Sequence, residues 1–488
     1  MKNATAFESD MGADQRGAFD IGPRIKCKPS RFNAHTTAPD GSIILYNTYS
    51  GHCCVFPPKG TASVRRYLSQ RGFEGTLDQV GEYLLKAGYL VEEGENELMN
   101  WDLAYGVQHF RQDCLSLILL ASEECNFRCT YCSQTFRRGT MLPFVRKGIK
   151  RWVDTGISKL RILQATWFGG EPMLGYEVIE DLAPYLQEVA KANNVRYSSG
   201  ITTNGYLLTS ERVRKMLEWG ILSYQVTLDG LPETHNKTRP LKDGGATFDN
   251  IIKNLNAMRQ FQQAFEVRMR VNFDRENIDQ LVPFFHLLKD RLGGDSRFKV
   301  AFQAVGRWGS QNDAKLEVFT RDILERQAVL RRQARGIGLP TESAMAFVRS
   351  GSMLCRATRA DGFVVGADGR IMKCTNHGVM SEDRNVIGQI HEDGTFEIDH
   401  HKNSRWILPY YNHDPKCKRC FYLPLCGGGM VCPAARVQGR EPACREERMH
   451  IRSLLLEYWA ERQTGDTGQA VRLMYRSQPS RSRSLDSP

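Results

Sequence analysis

The sequence predicts an α/β fold, a partial (β/α)6 TIM-like barrel of parallel strands, for two reasons. From Cys114 to about residue 304, apolar segments of strand length alternate with segments of helical periodicity. The first strand, LSLILLA (115–121), is almost entirely apolar, as expected for a parallel sheet that is covered on both faces. Polar residues and glycines follow several of these strands, at the end where such barrels carry their functional groups.

The remaining barrel elements follow in order along the chain. We expect helices near 142–156, 176–192, 209–219 and 247–263, strands at 160–168, through ITTNG, at 222–230 and at 265–273, and a last helix–strand pair reaching about 304. In 265–273 the apolar and polar residues alternate, so Arg270 and Asn272 lie opposite an apolar face. We therefore expect both side chains to face the barrel interior, and a satisfied structural pair is the alternative.

Segments on either side of the barrel complete the organisation. Before it, two short strands, two helices and a third strand over 41–107 fit a small α+β, winged-helix-like module, although a plain extension packed on the barrel is the alternative. The expected division is an N-terminal module (1–107), the barrel core (108–310), a helical connector (311–350), a cysteine-rich domain (351–450), and a C-terminal helix with a disordered tail (451–488).

Composition narrows the class of protein. The 488-residue sequence contains no apolar run that approaches the length of a membrane span, roughly 18 residues. The N-terminus lacks the apolar core of a signal peptide, so we expect a cytoplasmic protein. Fourteen cysteines in a reducing compartment favour metal or redox chemistry over disulfides.

The net charge of +11 is concentrated in one segment. Residues 135–161 carry eight Lys or Arg and one Asp. Nucleic-acid binding is one interpretation, but no stacking-aromatic or helix-turn-helix signature accompanies the charge. A solvated helix face is favoured over it, followed by attraction of an acidic peptide or redox partner.

Three cysteines lie on one short loop after the first barrel strand. The sequence CNFRCTYC places Cys125, Cys129 and Cys132 in a C-x3-C-x2-C spacing. Three thiolates suit a four-iron, four-sulfur cluster and leave one iron without a protein ligand. Structural zinc is the alternative, but it needs a fourth ligand, and no further His or Cys is close in sequence.

This motif resembles that of the radical S-adenosylmethionine (radical SAM) superfamily. The resemblance implies that SAM binds the open iron of a [4Fe-4S] cluster, is cleaved by one electron, and yields a radical that takes a hydrogen atom from substrate. It also implies that several residues contact the cofactor. These are Gly169, Gly170, Glu171 and Pro172, which resemble the family's GGE motif, Thr203, Asn204 and Asp229 at later strand ends, and Arg270 and Asn272. His235 and Arg239 follow the Asp229 loop, and a solvated loop is the alternative for both.

A second group of cysteines resembles the SPASM extension of some radical SAM enzymes. It comprises Cys355, Cys374, Cys417, Cys420, Cys426, Cys432 and Cys444. Cys432 comes two residues later than in the family pattern, which we interpret as an insertion. The resemblance implies one auxiliary [4Fe-4S] cluster on Cys417, Cys420, Cys426 and Cys444, and a second on Cys355, Cys374 and Cys432, which is one thiolate short. Zinc ribbons are the alternative.

The resemblance implies an oxidoreductase that modifies a ribosomally made peptide or protein by a crosslink, a thioether or an oxidation. It implies a precursor peptide bound by the N-terminal module and an electron donor such as flavodoxin or ferredoxin. Sulfatase-maturase-like oxidation is an alternative, which is weakened because Thr375 follows Cys374 where that type has Asp. A zinc-stabilised nucleic-acid-binding protein is the alternative from another class. No catalytic acid or base is assigned.

Overall fold

The computed structural model describes residues 24–69, 71–136, 138–308, 312–347, 355–376, 382–408, 414–428, 432–437, 439, 444 and 446–463. The expected disordered tail after residue 464 lies outside these ranges. Within them, every helix is too short or too polar to cross a bilayer.

The N-terminal module contains two three-stranded antiparallel sheets and three helices. Its elements are β1 Ile25–Pro29, β2 Asn33–Thr37, β3 Ile43–Asn47, β4 Cys53–Phe56, α1 Thr61–Ser69, β5 Phe73–Gly75, α2 Gln79–Lys86, β6 Leu90–Glu92 and α3 Glu97–His109. The strand orders are β5-β1-β6 and β2-β3-β4. The sequence predicted β3, β4, β6, α1 and α2, but not α3. It missed β1, β2 and β5, which are short and carry little apolar alternation.

Six parallel strands form the barrel core, in sequential order. They are β7 Cys114–Ser122, β8 Ile162–Gly169, β9 Arg196–Thr203, β10 Ile221–Thr227, β11 Glu266–Phe273 and β12 Phe298–Ala304. The helices between them are α4 Pro143–Gly156, α5 Tyr176–Ala192, α6 Ser210–Glu218, α7 Pro232–Thr238, α8 Phe248–Met258 and α9 Leu281–Leu292. All five neighbouring strand pairs are parallel, as the strand–helix alternation predicted.

The period-2 patterns of two strands place their side chains as expected, with one exception. In β11 the apolar positions from Val267 to Phe273 are buried, and Arg270 and Asn272 point to the other face. In β10 Leu222 is 45% exposed, although it alternates with the buried Tyr224 and Val226. The pairing with β9 shifts register between Ile221 and Ser223, so Ile221 is buried in its place.

The C-terminal third adds strands to the same sheet. Its elements are α10 Ile323–Gly336, β13 Gly362–Val365, β14 Arg370–Met372, α11 Glu382–Asn385, β15 Val386–Ile390, β16 Phe396–Ile398, α12 His400–Ile407, α13 Pro415–Lys418, α14 Leu423–Cys426, α15 Pro433–Val437 and α16 Glu446–Arg462. Strand β13 pairs parallel with β7, and β14 to β16 continue antiparallel, so the sheet has ten strands. The cysteine-rich region is therefore continuous with the barrel sheet.

Helix α16 connects the C-terminus to the N-terminal module. Leu455 and Trp459 share one hydrophobic cluster with Ile44 and Tyr46 of β3. Burial of such side chains contributes about 1.5–3 kcal/mol each. The N-terminal module is therefore part of a common core with the end of the chain, and its removal would expose that core.

Several charges of the basic segment 135–161 are paired within the fold. Arg146 and Lys150 of α4 both contact Asp181 of α5, at 3.4 and 2.6 Å. Arg138 contacts Asp368 at 2.9 Å. These ion pairs fit the interpretation of the segment as a solvated helix face, and they reduce the charge available to a partner.

Candidate active site

A cavity of about 500 Å³ opens at the carboxyl ends of the barrel strands. Cys125, Cys129 and Cys132 line one side of it. The strand ends contribute Gly169, Gly170, Thr202, Thr203, Asn204, Gln225, Thr227, Arg270, Asn272, Gln303 and Ala304. A volume of this size suits a small-molecule ligand. The cavity lies where a parallel barrel carries its functional groups.

The three cysteines of the loop after β7 are partly or fully buried thiols. Burial raises the pKa of all three thiols, to about 12 for Cys125 and Cys129, while the Arg239 guanidinium acts against the rise at Cys129 and Cys132. The backbone N–H groups of Phe127 and Gln134 donate to the sulfurs of Cys125 and Cys132, at 3.3 and 3.5 Å. Three thiols on one cavity wall, with N–H donors and a nearby cation, fit an iron–sulfur cluster, which binds cysteines as thiolates.

Gly169 and Gly170 are required by the backbone that precedes the cysteines. A Cβ on Gly169 would overlap the carbonyl oxygen of Ser122, and one on Gly170 would overlap that of Glu124. The Gly170 N–H donates to the Ser122 carbonyl at 3.0 Å. We expected the glycines to allow close approach of a ligand. The structure adds that they allow close approach of the cysteine loop itself.

The Glu171 side chain is directed into the protein. It is fully buried, and its carboxylate accepts hydrogen bonds from the backbone N–H of Met173 (3.0 Å), the Thr203 hydroxyl (2.6 Å) and the backbone N–H of Asn204 (2.7 Å). Burial raises the pKa of Glu171, and these donors act against that rise. Glu171 thus joins the end of β8 to the end of β9, and Pro172 begins a buried 3-10 turn after it.

A polar network is centred on Tyr131, which lies between Cys129 and Cys132 in the cysteine loop. The Tyr131 hydroxyl donates to the Asp229 carboxylate and accepts from Arg239 Nη1 (2.8 Å) and Asn272 Nδ2 (2.9 Å). Asp229 is 1% exposed and also accepts the backbone N–H of Asn272 at 3.2 Å. Asp229 therefore supports the site from outside the cavity lining, whereas Tyr131, Arg239 and Asn272 line the cavity wall.

His235 and Arg239 are buried, so the solvated-loop alternative is wrong for both. The His235 Nδ1 accepts the backbone N–H of Asp229 at 3.2 Å. Burial lowers the pKa of His235 well below its usual value, so the ring is neutral and carries its proton on Nε2.

The sequence motif contained Tyr131, but nothing in its spacing indicated that the Tyr131 hydroxyl would connect four segments of the chain.

The predicted inward orientation of Arg270 and Asn272 is observed, since both line the cavity. Arg270 Nε donates to Asn272 Oδ1 at 2.8 Å. On the opposite side, Asn204 Nδ2 donates to Asn126 Oδ1 at 2.8 Å, inside the cysteine loop. The strand ends and the cysteine loop are thus linked directly by side-chain hydrogen bonds.

The cavity wall also includes residues that the sequence analysis did not select. Phe136 follows the cysteine loop, Trp308 follows β12, and Asn376 lies two residues after Cys374. Gln134 Nε2 donates to the Thr375 carbonyl at 3.0 Å and so connects the two cysteine regions. No short motif marks these positions, because they converge only through the tertiary fold.

The seven C-terminal cysteines fall into two neighbourhoods. The thiols of Cys355, Cys374 and Cys432 are close enough to interact electrostatically with one another. Elsewhere, Arg448 donates to the Cys420 sulfur at 3.2 Å and lies close to Cys417 and Cys444. Cys426 borders the same hydrophobic cluster as Cys420. The two ligand sets that the resemblance implies stay predictions.

Comparisons with known proteins add to this geometry. The model of the radical SAM superfamily matches residues 119–288. The cysteine-type anaerobic sulfatase-maturating enzyme of Clostridium novyi (strain NT) is 25% identical over 64% of this chain and 86% of its own length. The PqqA peptide cyclase of Bradyrhizobium diazoefficiens is 22% identical over 74% of this chain and 93% of its own length. Native anSMEcpe with bound AdoMet and Cp18Cys peptide has a similar fold, with a TM-score of 0.52 and 19% identity over 74% of this chain and 99% of that one.

Proposed function

We propose that this radical SAM enzyme modifies a peptide or protein substrate. The premise is that residues 119–288 belong to the radical SAM superfamily. One observation carries the proposal. The cavity that contains Cys125, Cys129 and Cys132 is closed on another side by Thr375 and Asn376, directly after Cys374 of the second cysteine region. A substrate residue in this cavity would lie between the two regions.

The residues of this chain would hold the cofactors as follows. Cys125, Cys129 and Cys132 ligate a [4Fe-4S] cluster, which when bound with SAM supplies the one-electron chemistry of the superfamily. Thr203, Asn204, Arg270 and Asn272 contact SAM from the strand ends. Glu171 and Asp229 position these groups through the hydrogen bonds described above, and the Arg239 cation offsets part of the negative charge of the thiolates.

We further assign one or two auxiliary [4Fe-4S] clusters to the C-terminal cysteines. Cys417, Cys420, Cys426 and Cys444 supply four thiolates to the first. Cys355, Cys374 and Cys432 supply three to the second, whose fourth position is a non-cysteine side chain, an open site or the substrate. A reduced flavodoxin or ferredoxin supplies the electrons. The proximity of the cysteines within each set supports this assignment.

The N-terminal module is the proposed binding site of the precursor's leader segment. An extended peptide pairs readily with an edge strand, and β4 is an edge of the β2-β3-β4 sheet. Val55→Pro in β4 should weaken binding of a labelled precursor peptide, taken from a short open reading frame beside the gene. Deletion of residues 1–105 would be a poor test, because it exposes the core shared with α16.

Sulfatase-maturase-like oxidation remains a second candidate because of the 25% identical clostridial relative. The Thr375 that follows Cys374 counts against it. A zinc-stabilised nucleic-acid-binding protein is not supported, because the superfamily match covers the first cysteine motif and the basic segment is partly ion-paired.

Anaerobic purification tests the proposal. We expect a brown protein with about 8–12 iron atoms per chain, two or three four-iron clusters. Incubation with SAM and dithionite should release 5′-deoxyadenosine. Cys125→Ala, Cys129→Ala and Cys132→Ala should each abolish this release, whereas Cys27→Ala, in the N-terminal module, should not. A colourless zinc protein, or SAM cleavage that survives the three substitutions, would refute the proposal.

A further inference from the structure

Three residues outside the cysteine motifs line the same cavity. They are Phe136, Trp308 and Asn376. Each comes from a different part of the chain: the segment after the cysteine loop, the segment after β12 and the segment after Cys374. Each also has a structural feature that holds it at this wall.

Phe136 is held in an unusual backbone conformation. Its φ of 50° lies in the left-handed region, which a bulky residue adopts only when its surroundings impose it. The Arg128 guanidinium lies 4.6 Å from the centre of its ring. Arg128 is itself anchored by hydrogen bonds of 2.7 Å to the carbonyl oxygens of Cys125 and Phe127. The cysteine loop therefore positions Phe136 through Arg128.

Trp308 lies over a glycine. A Cβ on Gly306 would lie 2.8 Å from the Trp308 Nε1 and 2.9 Å from its Cε2, so only glycine leaves room for the indole here. The ring is nevertheless 43% exposed. An exposed indole on a concave wall gains free energy when a ligand covers it.

Asn376 presents a hydrogen-bond acceptor without a partner among the residues that the structure describes. Its Oδ1 is buried without a hydrogen-bond partner in the described structure. Its backbone N–H donates to the Cys374 sulfur at 3.3 Å, which holds the residue beside the second cysteine region. Buried acceptors without a donor are rare, and a backbone N–H of a bound peptide would satisfy this one.

We propose that Phe136, Trp308 and Asn376 form a subsite for an aromatic residue of the substrate peptide. The substrate ring packs on Phe136 and Trp308, and its backbone N–H donates to Asn376 Oδ1. A cationic side chain is disfavoured, because Arg239 and Arg270 line the same cavity. This inference rests on the proposed function, since it assumes a peptide substrate.

Binding of three probes to the iron-loaded full chain tests the subsite. The probes are the N-acetylated, C-amidated tripeptides Gly-Tyr-Gly, Gly-Leu-Gly and Gly-Lys-Gly, with SAM present and affinity measured by ligand-observed NMR. We expect the tyrosine peptide to bind about tenfold more tightly than the lysine peptide, a difference of about 1.4 kcal/mol. Trp308→Ala should remove this preference, and Trp308→Phe should retain most of it.

Two further variants separate the subsite from general effects. Gly306→Ala keeps the indole but displaces it, so it should also weaken binding of the tyrosine peptide. Phe110→Ala removes a ring of similar exposure, 44%, outside the cavity wall and should change nothing. Equal affinity for the three peptides, or an unchanged preference in Trp308→Ala, would overturn the subsite.

The release of 5′-deoxyadenosine without peptide is measured on the same samples. It should be unaffected by Phe110→Ala, because Phe110 lies outside the cavity wall. Release without any tyrosine preference refutes the subsite alone. A tyrosine preference without release supports the subsite and refutes the radical SAM activity.

Discussion

The hydroxyl of Tyr131, inside the cysteine motif, is hydrogen-bonded to the carboxylate of Asp229, 98 residues further along the chain. The same oxygen accepts hydrogen bonds from Arg239 and Asn272. One phenol therefore joins the cysteine loop to the end of β10, the end of α7 and β11. These contacts connect four segments of the chain at the cavity wall.

Tyr131→Phe should destabilise the protein and the site together. It removes the hydroxyl donor to Oδ2 of the buried Asp229 carboxylate, and it removes the acceptor of Arg239 and Asn272. A buried polar group that loses its partner costs about 1–3 kcal/mol. We expect a loss of that size in urea unfolding of the cluster-free protein, and weaker SAM binding in the iron-loaded protein. Tyr224→Phe is the matched control, because its buried hydroxyl has no partner in the described structure and its removal should be nearly neutral.

Gly170→Ala should disturb the cysteine loop. The added Cβ would overlap the Glu124 carbonyl directly before Cys125, so the loop must move. We expect reduced iron incorporation on anaerobic reconstitution. Gly106→Ala in α3 is the control, since its Cβ meets no atom within 4 Å and Ala favours a helix by up to about 1 kcal/mol. Full iron content in Gly170→Ala would contradict this account of the glycine.

Glu171→Gln separates a structural role of this residue from direct contact with the cofactor. All three partners of the carboxylate are donors, so the amide group of a glutamine would face an N–H or O–H group. We expect unfolding of the cluster-free protein to become easier by about 1–3 kcal/mol. Unchanged stability combined with weaker SAM affinity would instead assign Glu171 to the cofactor.

The barrel was predictable because its signals are local. An apolar run of seven residues, or alternation over nine, is contained within one strand, and it correctly placed Arg270 and Asn272 on the inner face. The short polar strands β1, β2 and β5 carry no such signal. The pairing of β13 with β7 joins segments far apart in sequence and depends on tertiary packing.

The sequence predicted which residue types lie at the site, but not the directions in which their side chains point. The GGEP and TLDG sequences indicated functional strand ends, yet nothing in them shows that the Glu171 and Asp229 carboxylates face the protein. That outcome depends on donors from other segments, namely Thr203 and Asn204 for Glu171 and Tyr131 for Asp229. Spacing within a motif does not encode such distant partners.

Helices α10 and α16 are joined by a buried ion pair that should be costly to break. Arg331 donates to Glu457 through Nε (2.7 Å) and Nη2 (2.8 Å), and both side chains are nearly inaccessible to solvent. Arg331→Met leaves a buried carboxylate without its charge partner, so we expect a loss of about 3–5 kcal/mol. The double variant Arg331→Met/Glu457→Met should recover most of it. If the double variant is no more stable than the single one, the buried charge is not the cause.

His109 should make the stability depend on pH. The ring is buried, stacks on Tyr105 with a centroid distance of 3.7 Å, and has its pKa lowered to about 4, chiefly by burial. The unfolded chain takes up this proton below about pH 6.5, whereas the folded protein takes it up only near pH 4. The contribution of His109 to the free energy of unfolding is therefore complete above about pH 6.5 and is lost as the pH falls from 6.5 to 4, with a loss of about 2 kcal/mol near pH 5.

His109→Phe keeps the stacked ring and removes the titration. Urea unfolding near pH 7.5 and pH 5 should show a smaller loss for this variant than for the wild type. Equal losses in the two proteins would mean that His109 is protonated in the fold at pH 5.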